Sequence, residues 1–318
     1  MTGASLFEQQ KKNLRRTTGI LAGFVAFLVF LGAGADLFLY GSGAGPAFPV
    51  ATIGALLFGA GSSLWALKAG DRAVLDSANA VPVDPRDPRQ RVLDNVVEEM
   101  AIAGGLPKPA VYVIPDGDPN AFATGSGPEK SSVAVTTGLL DALNREELQG
   151  VVSHEMAHVK NYDIRLMTVV AALVGSVLLI SDWGRRGIGW GGGRRRGSRG
   201  GGIFALVFLV LWIVSLLLAP LIARLVAMAV SREREYLADA SGSELTRNPL
   251  ALASALEKID AAVAPTPSIK QGVAHLCIAD PRGREINERE GGLAELFATH
   301  PPIAKRIALL REMSYQPR

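Results

Sequence analysis

His154-Glu155-Met156-Ala157-His158 is the stretch on which the reading of this chain turns. On an α-helix, residues four apart lie about one turn apart on the same face, so His154 and His158 can aim two imidazole nitrogens at one metal ion. Glu155 is turned about 100° round the helix, where its carboxylate reaches a water on the metal rather than the metal itself. The chain holds 4 histidines in 318 residues, and two of them fall at this spacing with a glutamate between. The plain alternative, two histidines on an ordinary helix, would require no partner elsewhere in the chain.

A partner does exist. A catalytic zinc site wants three protein ligands and an open fourth position. Residues 231–240 read SREREYLADA, and Glu235 and Asp239 fall one helical turn apart on one face. Glu235 is the expected third ligand. Asp239 is expected to accept the free ring N–H of a ligating histidine and so fix its tautomer and orientation. Glu233 and Arg234 read as a solvated ion pair on the outer face.

The setting is membranous. The chain is 48% apolar with a mean hydropathy of +0.24, and its apolar residues come in blocks. Gly19 to Tyr40 and Ala47 to Leu67 are each long enough to span a hydrocarbon core, which takes about 20 residues. Lys11, Lys12, Arg15 and Arg16 precede the first block, Lys68 and Arg72 follow the second, and the turn between holds no charge, which puts both flanks in the cytoplasm. Asp36 interrupts the far end of the first block and reads as lying near the outer interface. A signal peptide would be followed by a secreted domain, not by a second span.

Leu166 to Ile180 and Ile203 to Ala223 form a second apolar pair, joined by an arginine- and glycine-rich stretch at 184–202. The first of these is short for a full crossing. A complete hairpin would put the arginines outside, against the positive-inside tendency, so its topology stays open. Nucleic-acid binding would rest on this loop alone, and is not expected from a net charge of +3.

Between the apolar pairs, residues 81–88 form a proline-stiffened linker and Arg89 to Ala103 an amphipathic helix stopped by Gly104-Gly105. Ala110 to Ile114 and Ser132 to Thr136 read as strands. Asn120-Ala121-Phe122-Ala123-Thr124 reads either as an edge strand for peptide docking or as a plain turn. Leu139 to Val159 is the metal helix, with Asn144 as N-cap and Glu147 completing a capping box. Pro249 to Val263 and Ile303 to Met313 are helical. Cys277 is a lone cysteine with no disulfide framework; as a nucleophile it would need a paired base, and His275 is two residues away, but a metal site elsewhere argues against that role.

In combination, the two N-terminal spans, Asn120 to Gly125, His154 to His158, Glu235 to Asp239, and the tail Thr299-His300-Pro301-Pro302 through Lys305-Arg306-Ile307 resemble the HtpX-type membrane metalloproteases. The resemblance covers nearly the whole chain, apart from the 184–202 stretch. It implies an α+β, mostly α-helical membrane protein: two transmembrane hairpins with a gluzincin-like metalloprotease domain carrying a small β-sheet, related to the CAAX prenyl proteases. The segments would be a cytoplasmic piece at 1–18, a hairpin at 19–67, the first part of the protease domain at 68–165, a second apolar hairpin at 166–223, and the second part of the domain at 224–318. By the resemblance, His154, His158 and Glu235 hold one zinc ion per subunit and Glu155 is the catalytic base. Asn120, Ala121, Phe122 and Ala123 look like the substrate-aligning strand, and His300 resembles a donor to the oxyanion. Expected partners are the bilayer and unfolded membrane proteins, at the cytoplasmic face of a bacterial inner membrane. A CAAX-type endoprotease would share the metal site, whereas a non-catalytic scaffold or chaperone would be expected to have lost Glu155 or a ligand.

Overall fold

Two apolar runs separated by a glycine-rich turn give two long helices, α1 (Gly3–Gly41) and α2 (Val50–Ser77). The computed structural model describes residues 3–41, 48–175, 210, 232–262, 274–279 and 301–315. Both helices are long and apolar enough to cross a membrane. They meet through small residues: a Cβ on Gly32 would lie 2.6 Å from the Ala51 carbonyl oxygen, and one on Gly59 3.2 Å from Leu28. Such close approach is how helices gain contact where lipid is as apolar as their own side chains. Asp36 accepts the Ala51 N–H at 3.0 Å, the Thr52 N–H at 2.8 Å and the Thr52 hydroxyl at 2.6 Å. It thereby caps the first turn of α2, whose leading N–H groups have no intrahelical partner.

A four-stranded sheet follows in the order β1-β2-β4-β3. The expected strands β2 (Ala110–Ile114) and β4 (Lys130–Thr136) are parallel neighbours, with Ala110 opposite Ser132 and Ile114 opposite Thr136. The 120–124 stretch resolves as a strand: β3 (Ala121–Gly127) runs antiparallel to β4 and forms the sheet's outer edge. The proline run gives a two-residue strand, β1 (Val81–Pro82), antiparallel to β2. Alternation along the strands sorts two cores. Ala121, Ala123, Val133 and Val135 face Leu93, Val97 and Val152, while Phe122 and Ala134 face Val74, Leu75 and Met167.

Helix α3 (Pro88–Gly104) starts at Asp87, whose side chain accepts the Arg89 and Gln90 N–H groups, and ends at Gly105 with φ 64°. The metal helix is shorter than expected. Residues Thr137–Ala142 form a separate helix, α4, and α5 (Arg145–Lys160) begins after Asn144. The break is the capping box itself: Asn144 accepts the Glu147 N–H at 3.0 Å and donates its own N–H to Glu147 at 2.8 Å.

Helix α6 (163–175) carries the described part of the third apolar block, and it is buried against Ile20, Phe24, Leu28 and Ala66 of α1 and α2. The rest of that block, the 184–202 loop and the block from Ile203 to Ala223 lie outside the described residues, save Val210. Three helices complete the fold: α7 (Arg232–Thr246), α8 (Pro249–Ala261) and α9 (Ile303–Tyr315).

Glu147 also ties α5 to α8, through Ser254 Oγ at 2.7 Å and Lys258 Nζ at 2.7 Å. Burial pushes its carboxyl up, but Lys258, the Asn144 N–H and Ser254 together outweigh this and hold it below the usual range. A depressed folded value means stabilisation that is present above the unfolded value of about 4.3 and lost as pH falls through the folded one. Glu147→Gln should therefore cost about 1–3 kcal/mol at pH 7, read by urea unfolding. The gap from wild type should close below about pH 4; an equal gap at pH 7 and pH 3 would contradict this account.

Candidate metal centre

Helix α5 can bring its histidines to a partner carboxylate because its neighbours approach at glycines. A Cβ on Gly150 would meet the Leu252 backbone N at 2.8 Å, and one on Gly242 the His154 backbone N at 2.9 Å. With no side chain at Gly242, α7 lies directly against the motif. Glu235, about two turns before Gly242, then reaches both histidines.

The resulting cluster is compact and dry. His154, His158 and Glu235 each offer a ligand atom within 4.8 Å of the others, and all three are buried. Glu235 Oε2 lies 3.7 Å from His154 Nε2, and Oε1 lies 3.5 Å from His158 Nε2. These separations are too long for hydrogen bonds. Ligand atoms placed tetrahedrally about 2.0–2.1 Å from a zinc ion stand roughly 3.3–3.4 Å apart, close to the two Glu235–histidine separations, and two imidazoles with a carboxylate are a donor set that such an ion takes. The histidine rings meet edge to face, 4.8 Å between centroids and 89° apart.

Each histidine is held by a carboxylate on its other nitrogen. Asp239 Oδ1 lies 2.9 Å from His154 Nδ1. Asp163 Oδ2 lies 3.2 Å from His158 Nδ1. Carboxylates at Nδ1 hold the N–H there and leave Nε2 as the lone-pair donor. Burial lowers His154, and the nearby Arg306 charge adds to this against the Asp239 bond. Burial would lower His158 too, but Asp163, Glu235 and Glu155 reverse the sign and raise it to about 9. His158 Nε2 would have to give up the proton those carboxylates favour in order to hold a metal ion.

Arg306 of α9 closes the arrangement. Its Nε and Nη2 donate to the two Asp239 oxygens at 2.8 and 2.7 Å, its Nη1 donates to the Ile278 carbonyl at 3.0 Å, and Nη1 lies 3.5 Å from Glu235 Oε2. Burial pushes the Asp239 carboxyl up, but the Arg306 charge and hydrogen bonds pull it down to about 2.

Glu155 is buried beside the cluster, where the Ala123 N–H donates to its carboxylate. Burial is the main cause raising it to about 7; the Glu235 charge adds to this, while His158 and Arg306 oppose it. Strand β3 and the expected base thus share one hydrogen bond. The beginning of that strand's outer edge is already engaged. The Ile278 N–H donates to the Ala121 carbonyl at 2.9 Å, Phe122 bridges Cys277, and the Asn120 side-chain amide donates to the Ala279 carbonyl at 3.2 Å. Cys277 is buried in that contact. His275 Nε2 lies 3.0 Å from the Met167 carbonyl oxygen. His300 lies outside the described residues.

One expectation is overturned: Arg234 is not on a solvated face but 3% exposed, with Nη1 3.8 Å from Asp163. Two residues were missed as parts of the site, Asp163 and Arg306. Arg306 did carry a signal, being a charge on the apolar stripe of Ile303, Ile307 and Leu310. Asp163 lies beyond the end of α5, and nothing in its spacing marks it.

The family model for peptidase family M48 matches residues 87–314. A protease HtpX homologue of Thermoanaerobacter pseudethanolicus is 40% identical over 317 residues, covering 99% of this chain and 100% of the relative. One from Streptococcus gordonii is 41% identical over 312 residues, covering 97% of this chain and 100% of the relative. The crystal structure of S. mikatae Ste24p aligns with 96% of this chain and 67% of its own at a TM-score of 0.48 and 17% identity.

Removing one member of the buried Arg306–Asp239 pair strands the other. Arg306→Leu is expected to cost about 3–5 kcal/mol, whereas the double variant Arg306→Leu/Asp239→Asn should cost clearly less than the sum of the two single changes. Additive losses in chemical denaturation would show that the two side chains do not act as a pair.

Proposed function

The chain belongs to peptidase family M48 and is a metalloprotease, and from that premise we propose that it is a zinc endopeptidase anchored in the bacterial cytoplasmic membrane. It acts at the cytoplasmic face on unfolded or damaged membrane proteins. The observation that carries the reading is the convergence of His154, His158 and Glu235, with a carboxylate behind each histidine. Helices α1 and α2 supply the anchor. The full-length match to HtpX proteases supports the same assignment.

His154 and His158 would hold the zinc through Nε2, and Glu235 through its carboxylate. The bound ion acidifies water and polarises a carbonyl group. Glu155 is placed to take one proton as a water oxygen adds to the carbonyl carbon, and to pass it to the amide nitrogen as the C–N bond breaks. A carboxylate poised near 7 can both accept and return that proton. His300 is the proposed donor to the oxyanion. The strand from Asn120 to Ala123 aligns the peptide, which takes the place of residues 276–279 on the edge as it pairs. Asp239 and Arg306 hold His154 in its ligating orientation.

Metal-free protein purified in detergent should cleave itself or an unfolded model substrate only after zinc is added. Glu155→Gln should bind zinc as wild type does while proteolysis falls below about one thousandth, the scale of losing general-base catalysis. A fully active Glu155→Gln protein would sink the mechanism. Glu235→Ala should lose zinc stoichiometry, and an unchanged metal content would remove it from the ligand set.

A further inference from the structure

Asp163 holds His158 with one oxygen and is itself held by the N-terminal helix with the other. Asn13 of α1 donates from Nδ2 to Asp163 Oδ1 at 2.7 Å and to the Asn161 carbonyl at 2.9 Å. Asn13, Asp163 and His158 are all buried. A chain of two hydrogen bonds therefore runs from α1, through Asp163 Oδ2 at 3.2 Å, to His158 Nδ1. Asn13 lies on the same unbroken helix as the first span, six residues before Gly19 and so roughly 9 Å along the axis.

We propose that Asn13 is a positioning residue of the metal centre: through Asp163 it sets the orientation of His158, so that the membrane helix forms part of the metal site's outer support. The inference rests on the metal-centre reading above. It goes beyond a role in docking α1 onto the protein. Docking has its own contacts, in Gln10 Nε2 donating to the Lys160 carbonyl at 2.9 Å and in the Asn13 bond to Asn161. Those two bonds cap the last carbonyls of α5 and need no carboxylate. The bond to Asp163 is of another kind. It spends an amide donor on the anion that faces a ligand ring, next to a buried Arg234 guanidinium that approaches the same oxygen only to 3.8 Å. Among the described residues, Asn13 is thus the hydrogen-bond donor that fixes Asp163 Oδ1, which leaves Oδ2 for His158.

The test is metal affinity of the full chain in detergent, read by competition with a chromophoric zinc chelator, together with the visible spectrum of the cobalt-loaded protein. Asn13→Ala is expected to weaken zinc binding about 10- to 100-fold, the scale of other outer-sphere losses, and to shift the cobalt bands. Gln10→Ala, which removes docking alone, should change affinity by about twofold or less. In an Asp163→Ala background, Asn13→Ala should add no further loss, because its effect runs through that carboxylate. Should Asn13→Ala not accumulate, Asn13→Ser, too short to reach Asp163, carries the same measurements. The inference is overturned if Asn13→Ala leaves affinity and spectrum unchanged, if Gln10→Ala matches its loss, or if the loss persists undiminished without Asp163. A wild-type chain that binds no zinc would sink the metal-centre reading and this inference with it. A zinc-binding wild type with an indifferent Asn13→Ala would sink this inference alone.

Discussion

Two imidazoles, four carboxylates and an arginine, all withdrawn from water at one helix crossing, are what the rest of this structure has to accommodate. A buried charge costs several kcal/mol unless a partner of opposite sign or a metal answers it. The solution is a closed relay. Arg306 answers Asp239, Asp239 answers His154, Asp163 answers His158, and Glu235 faces both histidines from across the gap. Glu155 is the member least well answered, with burial as its largest perturbation. A carboxylate that water would ionise freely is kept here near its midpoint at neutral pH, which is the condition for moving a proton in both directions.

Packing serves that relay. Glycines at the two crossings of α5 admit the backbones of α7 and α8, and any side chain there would push the ligand helix away. The sheet is covered on both faces, so β3 and β4 are buried almost throughout. One cover is α5 with α3; the other is α2 with α6. Val74 and Leu75, from the end of the second apolar helix, therefore share a core with the sheet.

Local features of this design were legible in the sequence. The one-turn spacing of His154 and His158, that of Glu235 and Asp239, and the Asn144–Glu147 capping box all follow from helix geometry over a few residues. The strands from 110 and from 132 were readable from their β-branched alternation. What could not be read depends on contacts between distant segments. Asp163 and Asn13 are 150 positions apart, and Arg306 and His154 are 152 apart. Arg234 was misread because the charge pattern of its own helix suits a solvated face, whereas the tertiary fold turns that residue inward. The pairing of residues 277 and 278 with β3 likewise has no local signature, since Cys277 reads as one more apolar residue.

The separation between Arg306 and His154 also orders events in time. Here His154 is made first, Glu235 follows 81 positions later, and the arginine that binds Asp239 comes only at 306. Synthesis must run past the intervening apolar stretch before the relay can close. The contacts around His154 are thus complete only once the chain has been made as far as α9.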